Sequence, residues 1–162
     1  MNVFALPDTL ESACRRVAVA VEPFALLAAR VYVGWVFVKS GGLKLAAWDS
    51  TLALFEFEYR VPLLSPAAAA VAGTAGELAF GALVVLGLLG RFGAAGLFAV
   101  NALAVISYRH VLLAEGFEAA LAQHVLWGAL LAASFVFGPG RWSVDGFRRT
   151  AAAPATLQAT VS

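Results

Sequence analysis

The sequence predicts an all-α fold: an antiparallel bundle of four transmembrane helices, with a short interfacial helix between helices 1 and 2. Of the 162 residues, 62% are hydrophobic and only 13% are charged, and the mean hydropathy is +0.86. A soluble domain of this length needs many more charged residues, because most of its residues lie near water. Four apolar segments are also close to the ~20 residues that cross a hydrocarbon core about 30 Å thick. We therefore expect a lipid bilayer around the chain.

The first predicted helix runs from Pro23 to Leu43. Glu22 and Pro23 are typical of a helix start, since proline lacks only a backbone donor that the first helical turn leaves unbonded. Residues 1–22 carry acidic side chains where a cleavable leader would be basic. We expect them to form an uncleaved cytoplasmic N-terminal segment.

The second and third helices form a predicted hairpin. The second runs from Ala67 to Leu89 and is opened by Ser65-Pro66, and the third runs from Phe92 to Tyr108. Only Gly90-Arg91 joins them, and so short a connection makes the two helices antiparallel neighbours.

The fourth predicted helix runs from Leu121 to Phe137. It stops at Gly138-Pro139-Gly140, a strong terminator. The membrane domain would thus span residues 23–145. Residues 146–162 show no helical periodicity, and we expect them to be disordered.

The linker between the first two helices carries an aromatic stripe at helical spacing: Trp48, Leu52, Phe55 and Tyr59. Acidic residues stand between the members of the stripe. This pattern is typical of a helix lying in the membrane interface. A short helix that caps the bundle is equally compatible with it.

Lysines and arginines in the short loops indicate the orientation. With the N-terminus inside, the inner side holds Arg15, Arg16, Arg91, Arg141, Arg148 and Arg149, and the outer side holds Lys39, Lys44, Arg60 and Arg109. This bias predicts a multi-pass protein of the bacterial inner membrane with both termini in the cytoplasm.

Glu77 is the only ionisable residue in its predicted helix. A carboxylate in mid-membrane costs at least several kcal/mol unless it is protonated or paired. Counting residues from the predicted helix ends places Arg30, Glu77 and Asn101 at one depth. We therefore predict that Arg30 and Glu77 face each other within direct or one-water reach.

Both charged residues lie on stripes of small residues, which mark the faces along which membrane helices approach closely. The stripes are Gly73–Glu77–Gly81 and Arg30–Gly34–Phe37–Gly41. The polar residues could form a clamp that fixes how the helices dock. They could also form a site for a polar headgroup or for protons.

The two histidines are predicted at the outer face, with His124 pointing inward as a hydrogen-bonding partner of the polar core. Two histidines are too few for a metal site without carboxylates, and Glu56 and Glu58 are the nearest candidates. No metal site is expected. His110, Glu56 and Glu58 are candidates for contact with a partner.

Several function classes are excluded. A net charge of +1 provides no basic face for nucleic acid. Cys14 is the single cysteine, so there is no internal disulfide or thiolate cluster. No Walker loop, HExxH or CxxC motif is present, and the catalytic residues, if any, are unknown.

Four pieces of the chain resemble the DoxX family of membrane proteins. They are Arg30–Leu45, with Ser-Gly-x-x-Lys after an arginine and a glycine; Gly76–Leu78; Leu86–Phe92; and Gly138–Asp145. The resemblance covers about Ala29 to Asp145, and it implies a four-helix inner-membrane protein tied to oxidoreductase complexes. Relatives include a subunit of a thiosulfate:quinone oxidoreductase. The resemblance also matches six residues of this chain to recurrent positions of the family: Arg30, Lys39, Gly41, Lys44, Glu77 and Arg91.

Residues Trp48–Leu64 resemble a DoxX-like subtype associated with bufferin-type or methanobactin-like metal-binding peptide clusters. Together, these resemblances and the polar core predict a quinone-interacting membrane subunit of an oxidoreductase system linked to metal or redox stress. Arg30, Glu77, Asn101 and His124 would hold a quinone headgroup or its protons, and a partner protein would supply electrons. The alternative is a non-enzymatic membrane anchor or export helper for a modified metal-binding peptide. The oligomeric state is left open.

Overall fold

Four long apolar helices dominate the structure, a computed structural model that describes residues 8–152. Within that range there are six α-helices and no strand: α1 (Asp8–Ala46), α2 (Trp48–Phe57), α3 (Pro66–Leu86), α4 (Gly90–Leu112), α5 (Glu118–Phe137) and α6 (Val144–Ala152). Helices α1, α3, α4 and α5 are each long and apolar enough to cross a membrane. The predicted all-α bundle, with a short helix between its first two spanning helices, is confirmed.

The bundle has two distinct ends. One end, called here the α2 end, gathers α2, the end of α1 and the start of α3. The opposite end, the α6 end, gathers α6, the α3–α4 turn and the end of α5. Large apolar side chains cover the outside of the bundle, for example Trp35 and Phe98. Lipid is the solvent that such a surface requires.

The first helix is longer than predicted. It begins at Asp8 and continues through Pro23, where the sequence predicted a helix start. Residues 10–22 contain no glycine or proline that would stop a helix, and their side chains are exposed. At 1.5 Å per residue α1 is about 58 Å long, far more than the ~30 Å hydrocarbon core, so part of it extends beyond the bundle.

Helix α3 has strong signals at both ends. Ser65 caps its start by accepting a hydrogen bond from the Ala68 N–H, and Pro66 occupies the first turn. At the other end Gly87 adopts a left-handed conformation, with φ +63°. This conformation favours glycine, and it ends the helix at Leu86 instead of the predicted Leu89.

Helices α1 and α3 approach each other closely at Gly34 and Gly81. A Cβ atom on Gly34 would lie 3.0 Å from the Gly81 carbonyl oxygen, and one on Gly81 would lie 3.1 Å from the Gly34 carbonyl oxygen. Farther towards the α2 end, a Cβ atom on Gly41 would lie 2.8 Å from Leu78. Only glycine therefore permits this antiparallel packing.

The main core lies on the α4 and α5 side of this contact. It is built from Val33, Phe37, Val84, Ala94, Leu97 and Leu131. Trp127 and Phe80 pack against this cluster from its edge. Each of the four spanning helices thus contributes to one shared interior.

Helix α2 packs on the start of α3. Phe55 is buried against Ala69 and Ala70, and Trp48 and Leu52 border this cluster. The predicted stripe is therefore the face that contacts the bundle, as the capping alternative requires. Its position in a membrane interface stays a prediction.

Part of the predicted disordered tail after α5 is helical, contrary to the prediction. Helix α5 ends at Phe137, as the Gly-Pro-Gly terminator indicates. Ser143 then accepts a hydrogen bond from the Gly146 N–H at 2.9 Å, the geometry of a helix cap, and residues 144–152 form α6. The rest of the predicted disordered segment, 153–162, lies outside the described residues, as do residues 1–7.

Substituting Gly81 with alanine tests the close approach of α1 and α3. The added methyl group meets Val38 Cγ2 at 2.9 Å and a backbone carbonyl, so we expect a loss of about 1–3 kcal/mol in stability. The matched control is Gly42→Ala, since no atom lies within 4 Å of a Cβ there. The measurement is thermal unfolding in detergent, and equal midpoints for the two variants would contradict this packing.

Candidate functional site

A cavity of about 370 Å³ lies among all four spanning helices at the α2 end. Its lining includes polar side chains from the spanning helices and one, Tyr59, from the α2–α3 linker; those from the helices are Ser40, Lys44, Glu77, Ser107, Tyr108 and His124. Most of the remaining lining is apolar, as in Val36, Phe37 and Val100. A mostly apolar cavity of this size with a few convergent polar groups is typical of a small-molecule site.

An ion pair between Lys44 and Glu77 forms the polar wall of the cavity. The Lys44 ammonium donates to both oxygens of the Glu77 carboxylate, at 2.6 and 2.7 Å, and also to the Ser40 hydroxyl at 2.9 Å. Glu77 is 7% exposed as a residue, so its charge depends on this partner. A close, hydrogen-bonded partner is what a buried carboxylate needs within a bundle.

The predicted pairing of Arg30 with Glu77 is wrong. Glu77 packs beside Gly41, which lies 11 residues beyond Arg30 along α1, or about 16 Å at 1.5 Å per residue. The depth comparison started from a helix end at Pro23, whereas α1 passes through that residue. Arg30 is therefore absent from the residues that line the cavity.

Arg30 instead hydrogen-bonds to backbone carbonyls at the α6 end. Its guanidinium donates to the Val85 carbonyl at 3.0 Å and to the Trp142 carbonyl at 2.5 Å. Arg30 is 4% exposed and lies against Gly87, where a Cβ atom would clash with both Arg30 and Ser143. A cation is favoured here because the last carbonyls of α3 carry partial negative charge. Of the two predicted roles, this geometry supports the clamp.

Asp145 adds two further hydrogen bonds at the α6 end. Its carboxylate accepts a hydrogen bond from the Gly90 N–H at the start of α4, at 2.9 Å. Its own N–H donates to the Gly87 carbonyl at 3.1 Å. Helix α6 thus hydrogen-bonds to the α3–α4 turn through Asp145, while the buried Arg30 hydrogen-bonds to the end of α3 from the interior of the bundle.

Asn101 forms a reciprocal pair with His124, and of the two only His124 lines the cavity. The Asn101 amide nitrogen donates to the His124 backbone carbonyl at 3.0 Å, and His124 Nδ1 lies 2.8 Å from the amide oxygen. A carbonyl can only accept, so the amide orientation is fixed and Nδ1 must be the protonated ring nitrogen. In the neutral ring, His124 Nε2 is then the acceptor.

Aromatic residues enclose the other side of the cavity. The rings of Tyr59 and Tyr108 meet edge to face with centroids 4.9 Å apart, and Tyr59 also contacts Phe55. Burial raises the pKa of the Tyr59 phenol, and the negative charge of an ionised Tyr108, Glu77 or Glu58 raises it further. Tyr59 therefore stays protonated at neutral pH and can donate a hydrogen bond.

Trp127 provides an unused donor at the cavity. Its ring packs edge to face against His124 and Phe37. Its indole nitrogen is buried and has no hydrogen-bond acceptor among the described residues. A buried donor without an acceptor is unfavourable, so this N–H could serve an acceptor on a ligand.

The predicted partner-contact residues lie outside the cavity. Glu56 and Glu58 are exposed on and just after α2, and His110 is exposed near the end of α4. Within residues 8–152 no group of three or more histidine, cysteine or acidic residues could hold a metal ion.

Sequence reasoning missed three polar side chains that line the cavity: Lys44, Tyr59 and Trp127. Lys44 had been placed at the surface, yet it continues the stripe Arg30–Gly34–Phe37–Gly41 at the next spacing of three. That periodicity could have identified it. Tyr59 and Trp127 had no comparable signal, because their positions depend on how α2 and α5 pack.

The fold and the cavity define a class: a multi-pass integral membrane protein with a polar site inside its helix bundle. Residues 25–110, just over half of the chain, match the DoxX family model, and the chain belongs to that family. The match includes Arg30, Lys44, Glu77 and Asn101 and ends before α5. No curated protein and no solved structure matches the chain.

Replacing Arg30 with alanine tests the clamp at the α6 end. The Val85 and Trp142 carbonyls would lose their charged donor, so we expect a loss of roughly 2–5 kcal/mol in stability. Trypsin should also cleave faster after Arg141, next to the released carbonyl. The control is Arg16→Ala, an exposed arginine in the same helix, for which we expect little change. Two variants with equal melting and cleavage would contradict the clamp.

Proposed function

We propose that the protein binds the headgroup of a quinone-type lipid carrier in the cavity at the α2 end, as a membrane subunit of an oxidoreductase system. The observation that carries this proposal is the chemistry of the cavity. Apolar walls surround a small set of donors, and one of these, the Trp127 N–H, has no acceptor of its own. A quinone ring is apolar and carries two carbonyl oxygens that accept hydrogen bonds.

The hydrogen-bond donors around the cavity suit the two carbonyl oxygens of a quinone ring. The Trp127 indole would donate to one carbonyl oxygen. Tyr59, which stays protonated, could donate to the other, whereas the three donor hydrogens of Lys44 already face Glu77 and Ser40. The aromatic side chains of Phe37 and Tyr108 would contact the faces or edges of the ring.

Two ionisable side chains of the cavity would bind and release the protons of quinone reduction. Reduction of a quinone to a hydroquinone takes up two electrons and two protons. Glu77 and His124 both line the cavity and are groups that can carry a proton. A partner redox protein would supply the electrons. In this proposal Lys44 holds the Glu77 carboxylate in place through their ion pair, and Arg30 has no part in binding.

A second candidate function rests on the exposed residues of the α2 end. Glu56, Glu58 and His110 lie outside the cavity, where a modified metal-binding peptide could reach them. The protein would then be a non-enzymatic membrane anchor or export helper for that peptide. The link to metal or redox stress belongs to this proposal and to the resemblance of the Trp48–Leu64 block.

We also propose a location in the bacterial inner membrane with both termini in the cytoplasm. The four candidate spans among residues 8–152 support this proposal, since an even number of spans would return the chain to the side on which it began. Because Lys44 is bound to Glu77 inside the bundle, it no longer counts as a free charge at the outer surface, and the arginine excess at the α6 end becomes larger. A cytoplasmic signal from a reporter fused at the C-terminus would support this orientation, and a periplasmic signal would contradict it.

The quinone proposal predicts a specific effect of Trp127→Phe. The ring is retained and only the N–H donor is lost, so a short-tailed quinone should bind about three- to tenfold more weakly, as expected for one hydrogen bond. Quenching of tryptophan fluorescence on titration measures the affinity. The control is Trp35→Phe, which removes an exposed tryptophan that does not line the cavity.

The same preparation distinguishes the two candidate functions. Protein purified with its lipids should retain quinone in a ratio near one to one. Recovery of a modified peptide and no quinone would support the second function. Equal affinity of both tryptophan variants for the quinone would contradict the proposed binding mode.

A further inference from the structure

A groove separate from the cavity lies at the α6 end, the opposite end of the bundle. It is open, has a volume of about 600 Å³, and runs between the start of α4, the end of α5 and α6. Neither the family match nor the proposed quinone site accounts for this groove. The groove lies at one end of the helices of spanning length, the part of such a helix that meets the headgroup region of a bilayer.

Three arginines line this groove: Arg91, Arg141 and Arg149. The one acidic residue in the lining is Asp145, and its carboxylate is bound to the Gly90 N–H. The lining therefore carries a net charge of +2, from three arginines and one aspartate. Such an excess attracts an anion, and guanidinium groups bind phosphate oxygens in a bidentate manner.

Two of the arginines are held in position. The Arg91 guanidinium donates to the Phe135 carbonyl at 3.1 Å and to the Val136 carbonyl at 3.3 Å, at the end of α5. The Arg141 guanidinium lies 5.7 Å from the ring centre of Trp142, within the range of a cation–π contact. Partial ordering of these side chains lowers the entropy that binding would otherwise cost.

Exposed apolar residues border the arginines. Leu89, Phe92 and Phe137 line the groove and are 56, 63 and 67% exposed. Phe147 on α6 is likewise 66% exposed. Contact with water is unfavourable for four such apolar side chains, whereas contact with lipid acyl chains is favourable. The groove thus combines a basic part with an apolar rim.

We propose that this groove is a binding site for an anionic glycerophospholipid of the surrounding bilayer. The lipid phosphate lies against Arg141 and Arg149, and the acyl chains run along Phe92 and Phe137. Basic pockets between membrane helices recognise anionic headgroups in this way. The lipid would bridge α4, α5 and α6, and so tie the α6 end of the bundle to the membrane. This inference does not depend on the quinone proposal.

Native mass spectrometry of the full chain tests this site. Phosphatidylglycerol and phosphatidylcholine with identical acyl chains are titrated into the purified protein in neutral detergent. We expect a phosphatidylglycerol adduct that survives gentle activation, and at least tenfold weaker retention of phosphatidylcholine. In the double variant Arg141→Gln and Arg149→Gln, that preference should fall at least tenfold.

The matched control is Arg16→Gln with Arg148→Gln. It removes the same charge from two exposed arginines, and neither of them lines the groove. Retained preference in this control supports a defined site, whereas an equal loss in both double variants indicates general surface attraction and overturns the proposal. Displacement of the lipid by an equal concentration of glycerol phosphate would show recognition of a free anion, and would overturn it as well. Thermal unfolding confirms that both double variants are folded.

Discussion

The close approach of α1 and α3 at Gly34 and Gly81 is the constraint on which the rest of the structure depends. Two backbones in contact at one point can have only one register, and in an antiparallel pair this register fixes which residues face each other at both ends. Towards the α2 end it places Lys44 at Glu77. Towards the α6 end it places Arg30 at the last carbonyls of α3. One packing contact thus determines the partner of each buried charge.

The main buried polar groups of the bundle are bonded by different means. Glu77 has an ion pair, Arg30 has backbone carbonyls, and Asn101 and His124 bond to each other. In hydrocarbon an unsatisfied polar group costs several kcal/mol, so each arrangement is required for stability. Among the described residues, Arg30 Nε, Thr74 Oγ1 and the Trp127 indole N–H are buried without a partner, and of these three residues only Trp127 lines the cavity. A donor without an acceptor at the cavity wall supports a ligand there more strongly than the cavity volume alone.

The fold could be predicted from the sequence, because the lipid environment demands long apolar segments, and the segments are separated by clear signals. Ser65-Pro66 and Gly138-Pro139-Gly140 marked helix ends correctly to within a residue or two. The start of α1 could not be located this way, since Pro23 is tolerated inside the helix. Helix α6 was missed although Ser143 caps it, because a single cap residue is a weak signal without an apolar stripe.

The site could be predicted only in part. Glu77, Asn101 and His124 were identified correctly as inward-facing polar residues, because apolar surroundings made them conspicuous. The partner of Glu77 was not, since depth counted along one helix has no meaning until the register with its neighbour is known. The register depends on small residues meeting in three dimensions. No sequence signal shows which pair of glycines meets.

A pair of double-mutant cycles in thermal unfolding tests this account most directly. The first cycle combines Lys44→Met with Glu77→Gln, and the second combines Arg30→Met with Glu77→Gln. The account predicts a coupling of about 1–3 kcal/mol in the first cycle, as for groups in direct contact, and additivity within about 0.5 kcal/mol in the second. Coupling between Arg30 and Glu77, with none between Lys44 and Glu77, would show that α1 and α3 pack in a different register and would contradict the account.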